Sequence, residues 1–332
     1  MMTRLLTGLF QHPVKIWYQL LALISLGLLS GCNPNIETPL RIATIPWPGY
    51  ESLHLAQSLN YFEGSSIRII DMPNNSQVAM ALHNGTVNAA LLTLDETLTL
   101  MQDGLKLQVI LVMDVSNGAD VVMARPDITT LQALRGKRVA VDNAAVGAVM
   151  LDAMLQAANL KVDDIQLIPK TVNEHTYAYL KGQIDAAVTF EPVRSQLLKN
   201  GARILFDSSQ IPGRIIDVLA VRTDAMDHHT QALKQLTAAH FKALAYLASN
   251  PEDAARRIAP YLNIKPGEVA AQYQVLMLST LADNHRWLND TPAKLNNTAN
   301  ELATLLQQRH LLQHAPRINN LAQPQFLPVN SP

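Results

Sequence analysis

The sequence predicts a mixed α/β fold of two lobes, joined by two crossings of the chain and followed by a helical C-terminal part. Short apolar runs alternate with amphipathic stretches from Leu40 to Val221, which is the pattern of βαβ units. The pattern restarts after Arg125-Pro126, and beyond Thr223 apolar residues recur every three to four positions, as they do in helices. The chain has 332 residues, of which 48% are hydrophobic, enough to build the cores of two domains.

The first half of the chain contains five short apolar runs that are predicted to be strands: Leu40–Ile45, Ile67–Ile70, Val87–Leu92, Leu107–Met113 and Val121–Ala124. The amphipathic stretches Leu53–Leu59 and Gln77–His83 are predicted helices. Asn84-Gly85 is a helix stop before the third strand, and Asp95 stands where the next helix needs an N-cap. A polar loop is predicted over Asp114–Asp120.

The second half repeats the pattern, with predicted strands at Arg138–Val141, Gln166–Ile168, Ala186–Thr189, Arg203–Phe206 and Asp217–Val221. Helical segments are expected between them, at Thr130–Leu134, Ala148–Ala158, Glu174–Lys181 and Val193–Leu198. Helices alone are expected afterwards, at Leu233–Leu247, Pro251–Leu262, Gly267–Leu278 and Pro292–Arg309. We therefore place the first lobe at residues 40–123 and 219–310, the second lobe at 124–218, and an irregular tail at 311–332.

The N-terminus predicts export and a lipid anchor. Residues 1–31 contain Arg4 and Lys15, no acidic residue, and an apolar run too short to span a bilayer comfortably, as in a secretory signal peptide. Leu29-Ser30-Gly31-Cys32 resembles the lipobox of bacterial lipoproteins, in which the cysteine receives acyl chains such as palmitate and becomes the mature N-terminus. Residues 32–39 then form a tether. The alternative is an N-terminal membrane anchor with an incidental cysteine.

Composition and motifs exclude several function classes. Beyond residue 31 the chain has 24 basic and 27 acidic residues, a net charge of −3 that does not favour nucleic acid. Cys32 is the only cysteine, so no intramolecular disulfide forms. The chain contains no Gly-x-Ser-x-Gly elbow, no phosphate loop and no His-Glu-x-x-His helix. We therefore predict no catalytic residues, no metal site and no cofactor.

Several segments resemble the nitrate/sulfonate/taurine-type substrate-binding proteins of ABC importers. The resemblance rests on residues 42–51, Leu55-Ala56, Tyr61-Phe62, Leu134–Val141, Gly182–Ala187 and Phe190-Glu191-Pro192, which occur in the family's order. It implies the two-lobed type II periplasmic-binding-protein (Venus-flytrap) fold, which closes on a ligand by hinge motion. It also implies a periplasmic, membrane-anchored monomer that serves the permease and ATPase of an importer.

In the first lobe, the candidate ligand-binding residues follow predicted strands, where α/β sheets place their ligands. They are Trp47, Gly49, Tyr50, Thr93, Asp95, Ser116, Gly118 and Asp120. Each group has a structural alternative. The aromatic residues can pack on the sheet, Asp95 can cap a helix, and the Ser, Gly and Asp residues are also common in turns. Glu96 is expected to be a solvated acid in the first turn of a helix.

In the second lobe, Asp142 and Asn143 precede a predicted helix whose N-terminus can hold an anion or a polar group. Phe190 and Glu191 end another predicted strand, and Glu191 can alternatively cap the helix that follows. The candidate cleft residues are rich in carboxylates and poor in Lys and Arg. This balance favours an amine-bearing or heteroaromatic small molecule over a simple anion.

The sequence therefore favours a lipid-anchored solute-binding protein of the cell envelope that performs no chemistry. A ligand-sensing subunit for a membrane signalling protein is the alternative within the same fold. An enzyme resembling the thiamine-pyrimidine synthases is a second alternative, but its cysteine-rich motif and cofactor-bearing lysine cannot be placed here. A structural envelope lipoprotein without a ligand is a third.

Overall fold

Two β-sheets organise the computed structural model, which describes residues 38–142, 145–290, 293–316 and 318–330. The first sheet has six strands, in the order β11-β4-β10-β3-β1-β2. These strands are β1 (Leu40–Thr44), β2 (Ile67–Asp71), β3 (Ala89–Thr93), β4 (Leu107–Ser116), β10 (Ile216–Arg222) and β11 (Leu276–Leu278). β1 pairs in parallel with β2 and β3, whereas β10 lies antiparallel between β3 and β4.

The second sheet has five strands, in the order β7-β6-β8-β5-β9. They are β5 (Asp120–Ala124), β6 (Arg138–Val141), β7 (Gln166–Pro169), β8 (Ala186–Phe190) and β9 (Arg203–Asp207). β6 pairs in parallel with β7 and β8, and β5 runs antiparallel between β8 and β9. The strands β5 and β8 are buried along their whole length, and apart from Asp120 and Thr189 their residues are apolar.

Twelve helices are present in the described part of the chain: α1 (Ser52–Ser58), α2 (Asn75–His83), α3 (Leu94–Gln102), α4 (Ala145–Ala158), α5 (Val172–Leu180), α6 (Val193–Lys199), α7 (Thr223–Met226), α8 (Thr230–Ser249), α9 (Pro251–Leu262), α10 (Pro266–Tyr273), α11 (Leu281–Leu288) and α12 (Lys294–Gln308). Most follow a strand in βα order. The C-terminal helices pack on the first sheet's side: α8 contacts α1, and α12 contacts α3. None of the described helices has the length and apolar character needed to cross a membrane.

The two-lobed α/β fold predicted from the sequence is confirmed, with corrections at the first crossing. Asp114 to Ser116 belong to β4 rather than to a polar loop, so the connection to β5 is only residues 117–119. The strand predicted at Val121–Ala124 lies in the second sheet, although all of it except Ala124 was assigned to the first lobe. The chain returns to the first sheet between β9 and β10, over residues 208–215. The residue ranges of the lobes stay a prediction.

The C-terminal part also differs from the prediction of helices alone. Gly267–Leu278 was expected to be one helix, but α10 ends at Tyr273 and β11 adds an edge strand to the first sheet. α11 was not anticipated. The tail is irregular as predicted, apart from a 3-10 turn at Pro324–Phe326 and a single bridge from Ala322 to Val109. The predicted signal peptide and Cys32 lie outside the described residues.

Candidate functional site

An aromatic turn follows β1 and faces the second sheet. Pro48–Tyr50 form a 3-10 turn, and Trp47 and Tyr50 are both buried. The Trp47 ring meets Phe190 of the second sheet edge to face, with centroids 5.6 Å apart and planes at 84°. Such tilted pairs are favourable beyond their burial alone. This contact joins residues from the two lobes and closes the space between them.

Gly49 is required because the backbone of this turn passes against Asp114. A Cβ atom at Gly49 would lie 1.8 Å from Asp114 Oδ2 and 2.5 Å from its Cγ. The close approach lets Trp47 donate a hydrogen bond from Nε1 to Asp114 Oδ2 at 3.2 Å. Gly49 therefore shapes the aromatic turn without lining the cavity itself.

Strand register places a row of polar side chains across the first sheet. Asp217 on β10 is directly opposite Thr93 on β3 and Asp114 on β4. The hydroxyl of Tyr50 donates to Asp217 Oδ1. The register sets the Asp114 and Asp217 carboxyl groups on neighbouring strands, where the charge of Asp114 raises the pKa of Asp217. Since like charges directly opposite on neighbouring strands repel, the pair disfavours two negative charges at once.

Asp120 brings a third carboxyl group from the second sheet. It starts β5, pairs in register with Phe190 and is 3% exposed. No donor among the described residues bonds to its Oδ2 atom, and the same holds for Asp217 Oδ2. We refer to Asp114, Asp120 and Asp217 as the carboxyl cluster.

A small cavity lies between the sheets at this point. Its volume is about 10 Å³, room for about one water molecule. Its lining contains three aromatic rings, two carboxyl groups and no Lys, Arg or His: Ile45, Trp47, Tyr50, Asn75, Thr93, Asp120, Val146, Phe190 and Asp217. The structure therefore describes a closed cleft whose polar groups accept hydrogen bonds more readily than they donate them.

Burial controls the ionisation of these acids. The pKa of Asp120 is raised to about 7, chiefly by burial and in smaller part by the charges of Asp114, Glu96 and Glu191. Burial also raises the pKa of Asp217 well above its ordinary value, with the charge of Asp114 as the next cause. The pKa of Tyr50 is raised for the same reasons, by burial first and by Asp217 second. A buried carboxylate without a cationic partner is costly, so the empty cleft favours protonated acids.

Two of the predicted residues act at the first crossing instead of in the cavity. Ser116 Oγ and Ser208 Oγ are 2.8 Å apart, and Ser208 Oγ accepts from the N–H of Gly118 at 2.7 Å. Gly118 has a φ of +109°, a conformation that glycine adopts far more easily than other residues. Ser208 belongs to the return connection, so these bonds tie the two crossings together.

The start of α3 corrects two expectations. Thr93, rather than Asp95, is the N-cap, and it forms a capping box with Glu96. Asp95 is inside the helix and fully buried, and burial raises its pKa to about 7. Glu96 is 5% exposed rather than solvated, and it accepts a hydrogen bond from Asn75 Nδ2 at 2.7 Å. Of these residues, Thr93 and Asn75 line the cavity.

The second lobe places its other predicted residues behind the cavity. Glu191 accepts from Arg194 Nη1 at 2.9 Å and from Ser195 N and Oγ at 3.1 and 2.9 Å, which is the helix-capping alternative. Asp142 accepts from the N–H of Val172 at 3.1 Å and lines a neighbouring cavity of about 10 Å³ with Asp120 and Phe190. Asn143 lies outside the described residues.

Asp217 and Asn75 are the polar cavity residues that sequence reasoning missed. Asp217 had a signal, because it interrupts an apolar run from Ile215 to Val221 that reads as a buried strand. A charged residue in such a run requires a partner or a ligand. Asn75, at the start of α2, had no comparable signal. Among the described residues, no group of three or more His, Cys, Asp or Glu side chains has an arrangement that could hold a metal ion.

The chain is similar to a known protein family and to several characterised or putative binding proteins. The NMT1-like family matches residues 34–263. The taurine-binding periplasmic protein of Escherichia coli (strain K12) is 23% identical over 61% of this chain and 65% of its own length. The chain thus spans just under two thirds of that relative. Four putative binding proteins of Brucella species are 23% identical over 47% of their length.

Solved structures share the fold. The alkanesulfonate-binding protein SsuA of Xanthomonas axonopodis pv. citri, bound to MOPS, has a TM-score of 0.70 at 18% identity and covers 86% of this chain and 97% of its own. The desulfurization enzyme DSZB has a TM-score of 0.64 at 16% identity, over 86% and 97% of the two chains. The predicted type II periplasmic-binding-protein fold and the resemblance to nitrate/sulfonate/taurine-type binding proteins are confirmed.

Proposed function

The chain belongs to the NMT1-like family, and on that premise we propose that it is a solute-binding protein of an ABC importer. It captures a small organic molecule between its two sheets and presents the closed form to a membrane permease. The single observation that carries this proposal is the cavity whose walls come from both sheets. Thr93 and Asp217 come from the first sheet, Tyr50 from the turn after its strand β1, and Asp120 and Phe190 from the second sheet.

Closure by hinge motion explains the size of the cavity. A site of about 10 Å³ holds no organic molecule, so the lobes must separate to admit one. Two connections join the sheets, at residues 117–119 and 208–215. Hydrogen bonds among Ser116, Gly118 and Ser208 link these two connections to each other. A few residues at the ends of elements can absorb the backbone rotation that opening requires.

The cavity lining supports an amine-bearing ligand with a flat apolar part. Trp47, Tyr50 and Phe190 offer aromatic surface, which suits a ring or a cation. Asp120 Oδ2 and Asp217 Oδ2 have no donor among the described residues, so an N–H group of a ligand would satisfy both. Two of the similar proteins are named for the binding of taurine or alkanesulfonate. The acids in this cavity would repel a sulfonate group.

We place the protein in the cell envelope, on the periplasmic side of a membrane and held there by acyl chains on Cys32. This rests on the lipobox-like Leu29–Cys32 segment and on the periplasmic relatives. In Cys32→Ser, labelling with a palmitate analogue should disappear and the precursor should remain uncleaved at this site. Normal labelling and cleavage of this variant would refute the anchor and leave the binding proposal untouched.

The binding proposal is tested with the molecule that copurifies under native conditions. Mass spectrometry of a denatured extract should identify one small molecule per chain, and adding it back to stripped protein should raise the melting temperature. At a concentration of about 100 times the dissociation constant, the gain is about 2.7 kcal/mol. A stripped protein that no extracted molecule stabilises would contradict ligand capture and support a structural envelope role.

Binding without catalysis is the second part of this proposal. The desulfurization enzyme of the same fold makes the question worth a direct measurement. After incubation with stoichiometric protein, the extracted ligand should be recovered with its mass unchanged. A product that forms in proportion to protein concentration would assign an enzyme activity instead.

A further inference from the structure

The carboxyl cluster is a set of buried acids with no fixed counter-charge. Asp114, Asp120 and Asp217 are at most 3% exposed. Asp114 Oδ1, Asp120 Oδ2 and Asp217 Oδ2 accept no hydrogen bond from any donor in the described part of the chain. Two of these unpaired oxygens belong to residues that line the cavity. A buried oxygen that accepts no hydrogen bond destabilises the protein, and it forms a favourable contact when a cation donates a hydrogen bond to it.

The charged and titratable groups around the cluster are almost all acids. Facing it from five other elements are Tyr50 from the aromatic turn, Asp95 and Glu96 from α3, Glu191 after β8, Asp142 after β6, and Tyr273 from α10. Two basic side chains lie next to these acids in the described part of the chain: His175 of α5 interacts with Asp142, and burial lowers its pKa, while Arg194 is 2.9 Å from Glu191 Oε1. That guanidinium is already paired and lies outside the cavity lining. These neighbouring groups therefore do not supply the counter-charge that three ionised carboxylates in the cluster would need.

On the basis of the proposed solute binding, we propose that this protein exchanges protons for its ligand: an organic cation enters the cavity and expels a proton from the carboxyl cluster. Without a cation in the cavity, burial keeps Asp120 protonated and disfavours a negative charge on both Asp114 and Asp217. The incoming ammonium or amidinium group donates its N–H bonds to the oxygens that are unpaired in the empty state. The ligand thereby replaces the proton as the counter-charge.

The exchange balances without any further reactant. An O–H bond of one carboxyl group breaks, its proton leaves to solvent water, and the carboxylate accepts charge-assisted hydrogen bonds from the ligand. No covalent bond to the ligand forms. The raised pKa of Asp120, about 7, places this equilibrium in the neutral range. A simple anion cannot drive the exchange, because it supplies no counter-charge for the buried carboxylate that proton release would leave.

Isothermal titration with benzamidine tests the proposal, because this flat cation stays charged across neutral pH. Titration at pH 6 in buffers of different ionisation enthalpy reports the number of protons released from the slope of heat against buffer enthalpy. We expect about one proton per benzamidine at pH 6 and less than half a proton at pH 8. As the pH increases toward 7, the affinity for benzamidine should increase by up to tenfold per pH unit. Above pH 7 the affinity should level off.

Two comparisons separate this exchange from ordinary binding. Benzamide and benzoate carry the same ring without the positive charge, and both should bind at least tenfold more weakly than benzamidine. Asp120→Asn should release fewer protons at pH 6, because the amide has none to lose. The exposed Asp163 is in a 3-10 turn and does not line the cavity, so Asp163→Asn is the control and should match the parent.

The results also distinguish failure of this inference from failure of the proposed function. Benzamidine binding with no proton release, or equal affinity for benzoate, would overturn the exchange while solute binding stands. No benzamidine binding at millimolar concentration would overturn it as well, and the copurified molecule would then decide the proposed function separately. If the number of protons released is unchanged in Asp120→Asn, the released proton comes from the Asp114 and Asp217 pair. Asp114→Asn must then release fewer protons.

Discussion

Asp120 should make the ligand-free protein less stable as the pH rises. Its pKa is about 7 in the folded protein and near 3.8 in the unfolded chain, so the folded state binds the proton more tightly. The contribution to stability is complete below pH 4 and is lost as the pH rises through 7. A difference of about three pKa units corresponds to about 4 kcal/mol, an upper value because the unfolded chain and local relaxation reduce it.

The assay is urea unfolding of stripped protein at intervals from pH 4 to pH 8, followed by tryptophan fluorescence and circular dichroism. Asp120→Asn removes the titrating group, so its free energy of unfolding should fall by about 3 kcal/mol less than that of the parent over this interval. Asp163→Asn should follow the parent. Parallel curves for the parent and Asp120→Asn would refute the reasoning, because they would mean that Asp120 is already ionised in the folded state.

Three further predictions concern the turn, the crossings and the contact between lobes. Gly49→Ala should lower the free energy of unfolding by about 1–3 kcal/mol through its clash with Asp114, and an unchanged urea midpoint would contradict this. Ser208→Ala should cost about 1–3 kcal/mol, with Ser208→Thr restoring part of it in the same assay. Lys199→Glu breaks the 2.7 Å bridge to Glu268 across the lobes and should weaken ligand binding up to about fivefold in calorimetry; Lys199→Glu with Glu268→Lys should restore it.

Regular elements could be predicted from the sequence because their local signals agree with the packing. α9 begins at Pro251 and ends at Leu262 as predicted, since proline favours a first helical position and the chain turns left-handed at Asn263. β11 could not be predicted, because its three residues continue an apolar pattern with helical spacing. Only pairing with β4, which is remote in sequence, makes it a strand.

The candidate site could be predicted mainly where it follows a strand end, although Asp120, which starts β5, was a candidate from the polar segment 114–120. Trp47, Thr93 and Phe190 were found in this way, because parallel strands deliver their C-terminal residues to one edge of a sheet. Asp217 lies on an antiparallel strand that returns from the second lobe, and only the register across β10 brings it to the same edge. Glu191 satisfied the sequence rule, yet local hydrogen bonds to the helix after it occupy its carboxylate.

The direct test of the central claim is the position of the copurified molecule in a crystal structure of the complex. Its density is expected between the Trp47 and Phe190 rings, with a nitrogen within about 3 Å of Asp120 or Asp217. Binding also requires a cavity larger than the present 10 Å³, because the lobes must open around the molecule. Density at any other surface, such as the apolar groove beside Leu244 and Tyr273, with an unoccupied space between the two sheets, would contradict the account.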